Sequence, residues 1–455
     1  MKRITFELAH YVPAAEVFRL VGREPGCAFL DSSLVNELGR WSILGLRPYK
    51  TLIKEHDGRF TEDGRLRTDV TFESRLGEFL RTHRDENDTQ LPMVSGAIGY
   101  FSYDYGREQM GVPSQEADPE PIPQARVVFY DLLLIEDCRE KRVWLSACGE
   151  TEDTQTLLDR FRQQIERGAA EGFPPIPNGH ASRPIGVRPN FEKEAYKAAV
   201  DRMIRYIIEG DIYIANMTQR LDVDSDRDPL AVFYHLRAHN PSPFGGYLDC
   251  GDHQIVCASP ERFLRLRDGV VETRPIKGTR KRGENPEEDA ALRQELEQSE
   301  KDKSELLMIV DLERNDLNRV CRPGSVEVTE LFTVEAYATV FHLVSNIRGE
   351  LAQGKDVTDL LQAAFPGGSI TGAPKYRAME IIDELEHGKR GLYTGSIGYL
   401  TLDGDCDLNI VIRTALHRDG RYHLGVGGGI TAESDLEFEY EETLQKAKAV
   451  LEALQ

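Results

Sequence analysis

The sequence predicts an α+β fold built on antiparallel sheets. Two observations lead to this fold class: short apolar segments bounded by turn residues recur along the chain, and long helical patterns lie between groups of them. A doubly wound parallel sheet would need a helix after almost every strand, and the sequence lacks that alternation. The 455 residues are 40% apolar, which is enough to bury a large core.

The first part of the chain consists mostly of predicted strands. Apolar segments between turn residues predict strands at 28–30, 40–46, 94–100, 126–135 and 142–147. Helical periodicity predicts two helices, near 75–82 and 154–166.

A segment rich in proline and glycine, residues 172–184, interrupts this pattern. Such a segment can continue neither a helix nor a central strand. It divides the sequence into an N-terminal region, 1–185, and a C-terminal region, 186–455.

The C-terminal region is predicted to open with a helix. Asn190 is the expected cap, the helix runs through Glu209, and Gly210 ends it. Its apolar face contains Tyr196, Ala199, Met203, Ile207 and Ile208. Further strands are predicted at 254–258, 262–267, 269–274, 395–401, 409–417 and 422–427, and long helices near 287–314, 375–385 and 437–454.

Composition excludes several functional classes. The formal net charge is −21, from 56 basic and 77 acidic residues, which argues against a nucleic-acid partner. No apolar run reaches the roughly 18 residues of a membrane span, and the first residues lack the apolar core of a signal peptide. The 7 cysteines form no CxxC pair, which is typical of reduced thiols. These features predict a cytoplasmic protein.

Two glycine-rich loops resemble nucleotide motifs but lack essential residues. The loop 367–372 has the first half of a P-loop without the lysine that should follow, and 425–430 misses the third glycine of GxGxxG. Their backbone N–H groups remain suited to binding a carboxylate. No cysteine lies in a Gly-x-Cys-x-Gly turn, so the chain is not expected to hydrolyse glutamine itself.

Three carboxylates lie in helices where solvation alone explains them poorly. Glu305 precedes the most apolar stretch of its helix, while Glu439, Glu442 and Lys446 fall within about 60° on one helical face. One interpretation is an exposed Glu–Lys pair. The other is a Mg²⁺ site, because this cation takes one or two carboxylates together with water and substrate oxygens.

Two further residues have an ordinary and a catalytic interpretation. Glu261, at the start of a strand, is either solvated or a general acid whose pKa a cleft would raise. Lys277 belongs either to a basic surface loop with 280–282 or acts as a nucleophile whose amine neighbouring cations keep uncharged.

Arg413 and His342 lie among apolar neighbours. A buried arginine must pair, and its planar fork suits a substrate carboxylate. A lone histidine in such a setting is more often a core residue with its hydrogen bonds satisfied.

Taken together, these segments resemble the chorismate-utilising enzymes. The matching segments are 210–213, 240–244, 259–263, 274–279, 307–312, 366–375, 393–399, 427–429 and 439–443, with looser matches at 40–45 and 96–104. A block as long as 366–375 makes a chance match negligible. The resemblance implies two large antiparallel β-sheets packed face to face, helices outside, and an active site in a cleft between the sheets.

Within this family, position 277 separates two chemistries. Members that form anthranilate or isochorismate typically carry alanine there. A lysine at this position resembles the members whose product leads to para-aminobenzoate and folate. The resemblance implies that Lys277 attacks ring carbon 2 of chorismate while Glu261 protonates the departing hydroxyl on carbon 4. Ammonia would then add at carbon 4, giving 4-amino-4-deoxychorismate. The alternative is amination at carbon 2, toward anthranilate.

The resemblance also implies roles for the remaining residues. Glu305 and Glu442, with Glu439 nearby, match acids that bind Mg²⁺, and Lys446 matches a contact to the ring carboxylate. The family residues that contact the enolpyruvyl carboxylate correspond to Arg413, Tyr393 and the backbone of Gly427, Gly428 and Gly429. His342 and Thr371 match residues that line the substrate.

Two positions leave alternatives open. Relatives often carry glutamine, or a water-activating lysine, where this chain has Ile214, which argues against isochorismate formation. The segment 28–33 resembles an element that binds tryptophan in relatives, with Ser32 as the candidate contact, or is an ordinary strand end.

Because the chain lacks a glutaminase cysteine, the expected partner is a separate glutamine amidotransferase subunit that supplies ammonia. A non-catalytic subunit is disfavoured because Glu261, Glu305, Glu442 and Lys277 are all present.

Overall fold

Antiparallel pairing of strands organises the structure. The computed structural model describes residues 3–114, 116, 121–177, 179–336 and 340–455. Within these residues the strand pairings join into one hydrogen-bonded network, and each pairing between named strands is antiparallel. The predicted α+β class with large antiparallel sheets is confirmed.

The elements are as follows. The strands are β1 (Ile4–Glu7), β2 (Ala28–Asp31), β3 (Trp41–Lys54), β4 (Phe60–Glu62), β5 (Arg65–Arg67), β6 (Gly96–Phe101), β7 (Ala125–Asp137), β8 (Arg142–Ala147), β9 (Gly186–Pro189), β10 (Ile214–Asp224), β11 (Phe244–Asp249), β12 (Gln254–Ser259), β13 (Arg262–Arg267), β14 (Val270–Thr273), β15 (Ile276–Lys281), β16 (Glu327–Ala336), β17 (Val340–Glu350), β18 (Gly372–Ala373), β19 (Ser396–Thr401), β20 (Cys406–Asn409), β21 (Thr414–Arg418) and β22 (Arg421–Ile430). The helices are α1 (Ala14–Val21), α2 (Phe72–Thr82), α3 (Tyr103–Gln109), α4 (Thr154–Glu171), α5 (Lys193–Glu209), α6 (Pro229–His239), α7 (Pro286–Gln298), α8 (Glu300–Asn318), α9 (Val357–Ala364), α10 (Lys375–Leu385) and α11 (Leu436–Ala453).

Strands from the two predicted regions pair with each other. β2 pairs with β11, and β6 pairs with β19. The regions 1–185 and 186–455 therefore share their sheets, and their division at residue 185 stays a prediction from sequence.

Helices pack their apolar faces on the sheets. Phe18 of α1, for example, is buried against Phe29 of β2 and Phe233 of α6, with ring centroids 4.9 and 5.6 Å away. Burying aromatic rings of this size contributes strongly to stability. Within the described residues no helix is long and apolar enough to cross a membrane.

The predicted start of α5 is wrong. The helix begins at Lys193, because Asn190 uses its side chain to accept a hydrogen bond from the backbone N–H of Arg220 at 2.7 Å. Gly210 ends the helix as predicted, in the left-handed conformation with φ 89°. Ile208 does not belong to the buried face, since it is 70% exposed.

Two predicted elements are each divided in two. The helix near 287–314 is interrupted at Ser299, whose extended backbone ends α7 and whose side chain caps α8 by accepting from Asp302 N. The strand predicted at 409–417 stops at Asn409 and resumes at Thr414, and Arg413 between them has φ +50°. Arg413 thus lies in a bend between strands, and its predicted place within a strand is wrong.

A buried ion pair fixes the glycine-rich loop 367–373. Lys375 Nζ donates to Asp316 Oδ2 at 2.5 Å and to the carbonyl oxygens of Ala364 and Pro366, each at 2.8 Å. Both charged side chains are almost fully buried. The pair therefore ties α8 to the loop that precedes α10.

Removing one partner of this pair should destabilise the protein. Lys375→Met leaves Asp316 buried and uncompensated, so we expect the free energy of unfolding in denaturant to fall by about 3–5 kcal/mol. Lys355→Met removes the exposed partner of Asp359 and should leave the denaturant concentration at the midpoint of unfolding unchanged. Equal midpoints for the two variants would contradict a structural role for the buried pair.

Candidate active site

A cavity of about 490 Å³ lies where β15, β17, β22, α8 and α11 meet. Most of the residues predicted from sequence line it: Glu261, Lys277, Glu305, His342, Tyr393, Arg413, Gly427, Gly428, Gly429, Glu439, Glu442 and Lys446. These residues are far apart in the chain, so the fold brings acids, cations and backbone donors into one cleft. Such a convergence of polar groups in a large cavity is typical of a ligand-binding site.

Lys277 points into this cavity. A bulge in the pairing of β15 with β17 follows Lys277, at Gly278, whose φ is +74°. Lys277 Nζ lies 3.4 Å from the carbonyl oxygen of Ser369. A methyl group at position 429 would lie 3.2 Å from the same amine. The surface-loop interpretation therefore does not describe this side chain.

The cations that follow Lys277 are engaged elsewhere. Arg280 pairs with Glu295 and Asp302, and Arg282 pairs with Asp289. Their charges are thus matched by carboxylates of α7 and α8.

Glu261 is buried at the floor of the cavity and is 8% exposed. Burial raises the pKa of its carboxyl group, while the hydrogen bond from Ser369 Oγ and the charges of Lys277 and Arg413 oppose that rise. The Ser369 hydroxyl donates to Glu261 Oε1 at 2.9 Å. A carboxyl group with a raised pKa beside a ligand cavity is suited to donate a proton.

Three further carboxylates, those of Glu305, Glu439 and Glu442, also line the cavity. A methyl group at position 428 would lie 2.7 Å from Glu442 Oε2 and 3.2 Å from Glu439 Oε2, so these two acids converge on β22. Burial raises the pKa of Glu305 and of Glu439, and the negative charge of Glu442 raises both further. Lys446 Nζ lies 3.3 Å from Glu442 Oε2 and donates to the carbonyl oxygen of Gly427 at 2.8 Å.

This acid set fits a hard divalent cation in type and charge. Among the described residues, no group of three or more His, Cys, Asp or Glu side chains is assembled as a complete metal site. A Mg²⁺ ion takes only one or two carboxylates when water and substrate supply its other ligands, so converging, mutually repelling carboxylates suffice.

Arg413 and His342 both line the cavity, and the charge of Arg413 acts on the imidazole of His342. Arg413 lines the cavity, and more than a third of its surface is exposed, although protein atoms surround its guanidinium. Among the described residues it forms no ion pair. The predicted burial of Arg413 is therefore wrong, whereas its availability to a ligand remains. His342 is buried, and burial together with the charge of Arg413 lowers its pKa to about 4. Its Nδ1 is 2.9 Å from Thr279 Oγ1.

Tyr393 packs directly on β22. A methyl group at Gly425 would lie 2.1 Å from the Tyr393 ring, so only glycine allows this contact. Burial raises the pKa of the Tyr393 hydroxyl, which stays protonated.

Three predicted residues lie outside the cavity lining. Thr371 is buried and its hydroxyl donates to the carbonyl oxygen of Gly367 at 2.9 Å. Ser32 lines a second cavity of about 400 Å³, where its hydroxyl contacts the carbonyl oxygens of Trp41 and Pro243. Ile214 is buried, and its Cδ1 would be 3.6 Å from a methyl group at position 429. The tryptophan contact of Ser32 stays a prediction.

Sequence reasoning missed Ser369 and Asn216, which also line the cavity. Ser369 lies within the motif 366–375, so its place in the longest matching block was the available signal. Asn216 belongs to no motif of known chemistry, so the sequence offered no signal that it lines the cavity.

Comparisons with known proteins show to which family the chain belongs. The profile described as chorismate binding enzyme matches residues 30–452. The aminodeoxychorismate synthase component 1 of Bacillus subtilis is 38% identical over 428 residues, which cover 92% of this chain and 90% of that protein. The anthranilate synthase component 1 of Cereibacter sphaeroides is 37% identical over 472 residues, covering 99% of this chain and 93% of that protein.

A solved structure extends the similarity. The anthranilate synthase component I of Streptococcus pneumoniae superposes with a TM-score of 0.81 at 31% identity, covering 92% of this chain and 93% of that one. The chain belongs to the family of chorismate-binding enzymes, as its sequence motifs indicated.

Filling the space above Gly428 should impair the site. Gly428→Ala places a methyl group 2.7 Å from Glu442 Oε2, which must move the carboxylate. We expect chorismate binding measured by calorimetry to weaken about tenfold or more, because a displaced charged group costs at least one hydrogen bond to charge. Gly179→Ala, in open space, should bind as the wild type does. Unchanged affinity in Gly428→Ala would contradict a role in binding for the carboxylates beside Gly428.

Proposed function

We propose that this chain aminates chorismate with ammonia at ring carbon 4, giving 4-amino-4-deoxychorismate through a covalent bond between Lys277 and the substrate. The observation that carries the proposal is that Lys277 Nζ lies inside the cavity, where Ser369 contacts both this amine and the Glu261 carboxyl group. Relatives named aminodeoxychorismate synthase component 1 are 38% and 42% identical to the chain.

In the first step, the amine of Lys277 attacks ring carbon 2 of chorismate. The electrons of the ring diene shift, the bond from carbon 4 to its hydroxyl breaks, and Glu261 donates its proton so that water leaves. Burial raises the pKa of Glu261, which favours the protonated form that this step requires.

In the second step, ammonia attacks carbon 4 and the diene shifts back. The bond between Lys277 and carbon 2 breaks, which returns the lysine as a free amine. The Glu261 carboxylate takes a proton from the new ammonium group. The balance is chorismate plus ammonia giving 4-amino-4-deoxychorismate plus water, and both catalytic groups return to their starting states.

The substrate is a dianion, and the cavity offers a partner for each carboxylate. Arg413, Tyr393 and the backbone of Gly427–Gly429 would contact the enolpyruvyl carboxylate, and Lys446 the ring carboxylate. His342, neutral at pH 7 because its pKa is lowered to about 4, would line the substrate without adding charge.

Glu305 and Glu442, with Glu439 nearby or through water, would hold Mg²⁺. The ion would supply positive charge next to the ring carboxylate. Without it, the three acids would repel a dianion, so their presence beside the proposed substrate site favours a bound cation.

Ammonia would come from a separate glutamine amidotransferase subunit. The relatives are named as component 1, which implies a second component. Ile214 favours amination over hydration, because an apolar side chain near the lysine amine cannot activate water.

The alternative is anthranilate formation, with ammonia adding at carbon 2. Relatives named anthranilate synthase component 1 are about as similar, at 36–40% identity. The two reactions use the same cavity and differ in the carbon that is aminated, so product identity decides between them.

The decisive experiment is to incubate the chain with chorismate, Mg²⁺ and ammonium and to identify the product by mass spectrometry and chromatography. The proposal predicts 4-amino-4-deoxychorismate, which an added lyase converts to para-aminobenzoate. Anthranilate as the main product would reject it.

The same assay tests the lysine. Lys277→Ala should lose amination at carbon 4 by about a hundredfold or more, because the covalent step is gone. Some product aminated at carbon 2 is expected to appear. Lys281→Ala, at an exposed position on the same strand, should retain wild-type turnover. Full carbon-4 activity in Lys277→Ala would exclude the covalent route.

Mg²⁺ dependence tests the acid set. Glu442→Gln removes one charged ligand, and we expect the Mg²⁺ concentration for half-maximal activity to rise about tenfold or more. Glu441→Gln changes its exposed neighbour on α11, which pairs with Lys193, and should leave that concentration unchanged. Identical Mg²⁺ titrations for the two variants would count against Glu442 as a ligand.

A further inference from the structure

Ser369 contacts both groups to which the proposed reaction assigns chemistry. Its hydroxyl donates a hydrogen bond to Glu261 Oε1 at 2.9 Å, and its backbone carbonyl oxygen lies 3.4 Å from Lys277 Nζ. The side chain is buried, at 7% exposed, and lines the cavity. A single residue therefore contacts both the carboxyl group and the amine.

The local backbone holds Ser369 in place. It lies in the short turn Gly368–Ile370, which the buried pair of Lys375 and Asp316 anchors from behind. A methyl group at Gly367 would lie 3.0 Å from Ile410, and one at Gly368 would lie 2.9 Å from Leu312, so this turn is packed closely against its neighbours. Neither the hydroxyl nor the carbonyl can move far without disturbing that packing.

We propose that Ser369 is a positioning residue that selects which oxygen of Glu261 carries the transferable proton and holds the Lys277 amine in register with it. This inference rests on the function proposed above. Because Oε1 accepts from the serine hydroxyl, the proton of the neutral acid resides on Oε2. After proton transfer, the same hydrogen bond stabilises the carboxylate.

The hydrogen bond has a second consequence that can be measured. It favours the ionised form of Glu261 and so lowers a pKa that burial raises. The groups that face Glu261 are Lys277 from β15, Arg413 from the bend before β21, Lys446 from α11 and Glu313 from α8. Activity of a general acid falls as the pH rises through its pKa. Removing the hydrogen bond must therefore move the alkaline limb of the pH profile to higher pH.

The experiment measures kcat and KM for chorismate across pH at constant free ammonia. For Ser369→Ala we expect kcat to fall about tenfold or more, KM to stay within about twofold, and the alkaline limb to shift upward. Ser369→Cys, of nearly the same size but a weak donor, should show the same shift. Ser369→Thr keeps the hydroxyl and should return the limb toward its wild-type position.

A matched control separates this role from simple loss of a buried hydroxyl. The hydroxyl of Ser396 is buried and has no hydrogen-bond partner within the described part of the chain. Ser396→Ala should keep the wild-type profile. A wild-type alkaline limb in both Ser369→Ala and Ser369→Cys would overturn the inference, and so would a shift in Ser396→Ala as large as theirs.

Failure of this inference is distinguishable from failure of the proposed function. Loss of the carbon-4 hydroxyl needs a proton whether ammonia adds at carbon 2 or carbon 4. The identity of the product therefore tests the function, while the position of the alkaline limb tests Ser369.

Discussion

The cavity depends on the glycines of one strand, β22. Along β22, Gly425 lies against the ring of Tyr393, Gly428 against the carboxylates of Glu439 and Glu442, and Gly429 against the amine of Lys277. A methyl group at position 425 would overlap the Tyr393 ring, one at 428 would move the Glu442 carboxylate, and one at 429 would crowd the Lys277 amine. The glycines leave the backbone of this strand open to a ligand, and they let α11 and β15 bring opposite charges to within a few ångströms of the same strand.

That arrangement explains how a chain with a net charge of −21 can bind an anion. The sign of a site is set locally, by groups within a few ångströms, and distant surface charges are screened by salt. Arg413, Lys277 and Lys446 all line the cavity, while Arg280 and Arg282, further along β15 and just after it, are paired with carboxylates. Burial raises the pKa of Glu261, Glu305 and Glu439, which favours their neutral forms, whereas the proposed cation would favour the ionised forms of Glu305 and Glu439.

Sequence alone was sufficient for the fold class and for most of the cavity, and insufficient where backbone geometry decides. Helix Lys375–Leu385 and strand Arg142–Ala147 have the predicted bounds because apolar periodicity sets them. The break at Ser299 and the bend at Arg413 were missed, since a serine cap and a positive φ are local conformations that hydrophobic pattern does not encode. Ser369 was missed because its importance comes from two partners, Glu261 and Lys277, that only the fold brings to it.

The proposed reaction requires a covalent bond from the amine of Lys277 to ring carbon 2. The most direct measurement is to incubate the chain with chorismate and Mg²⁺ in the absence of ammonia, quench with acid and map the peptides by mass spectrometry. We expect the peptide that contains Lys277 to gain the mass of chorismate less one water. An unmodified Lys277 in an enzyme that turns over once ammonia is added, or an adduct on a different residue, would contradict it.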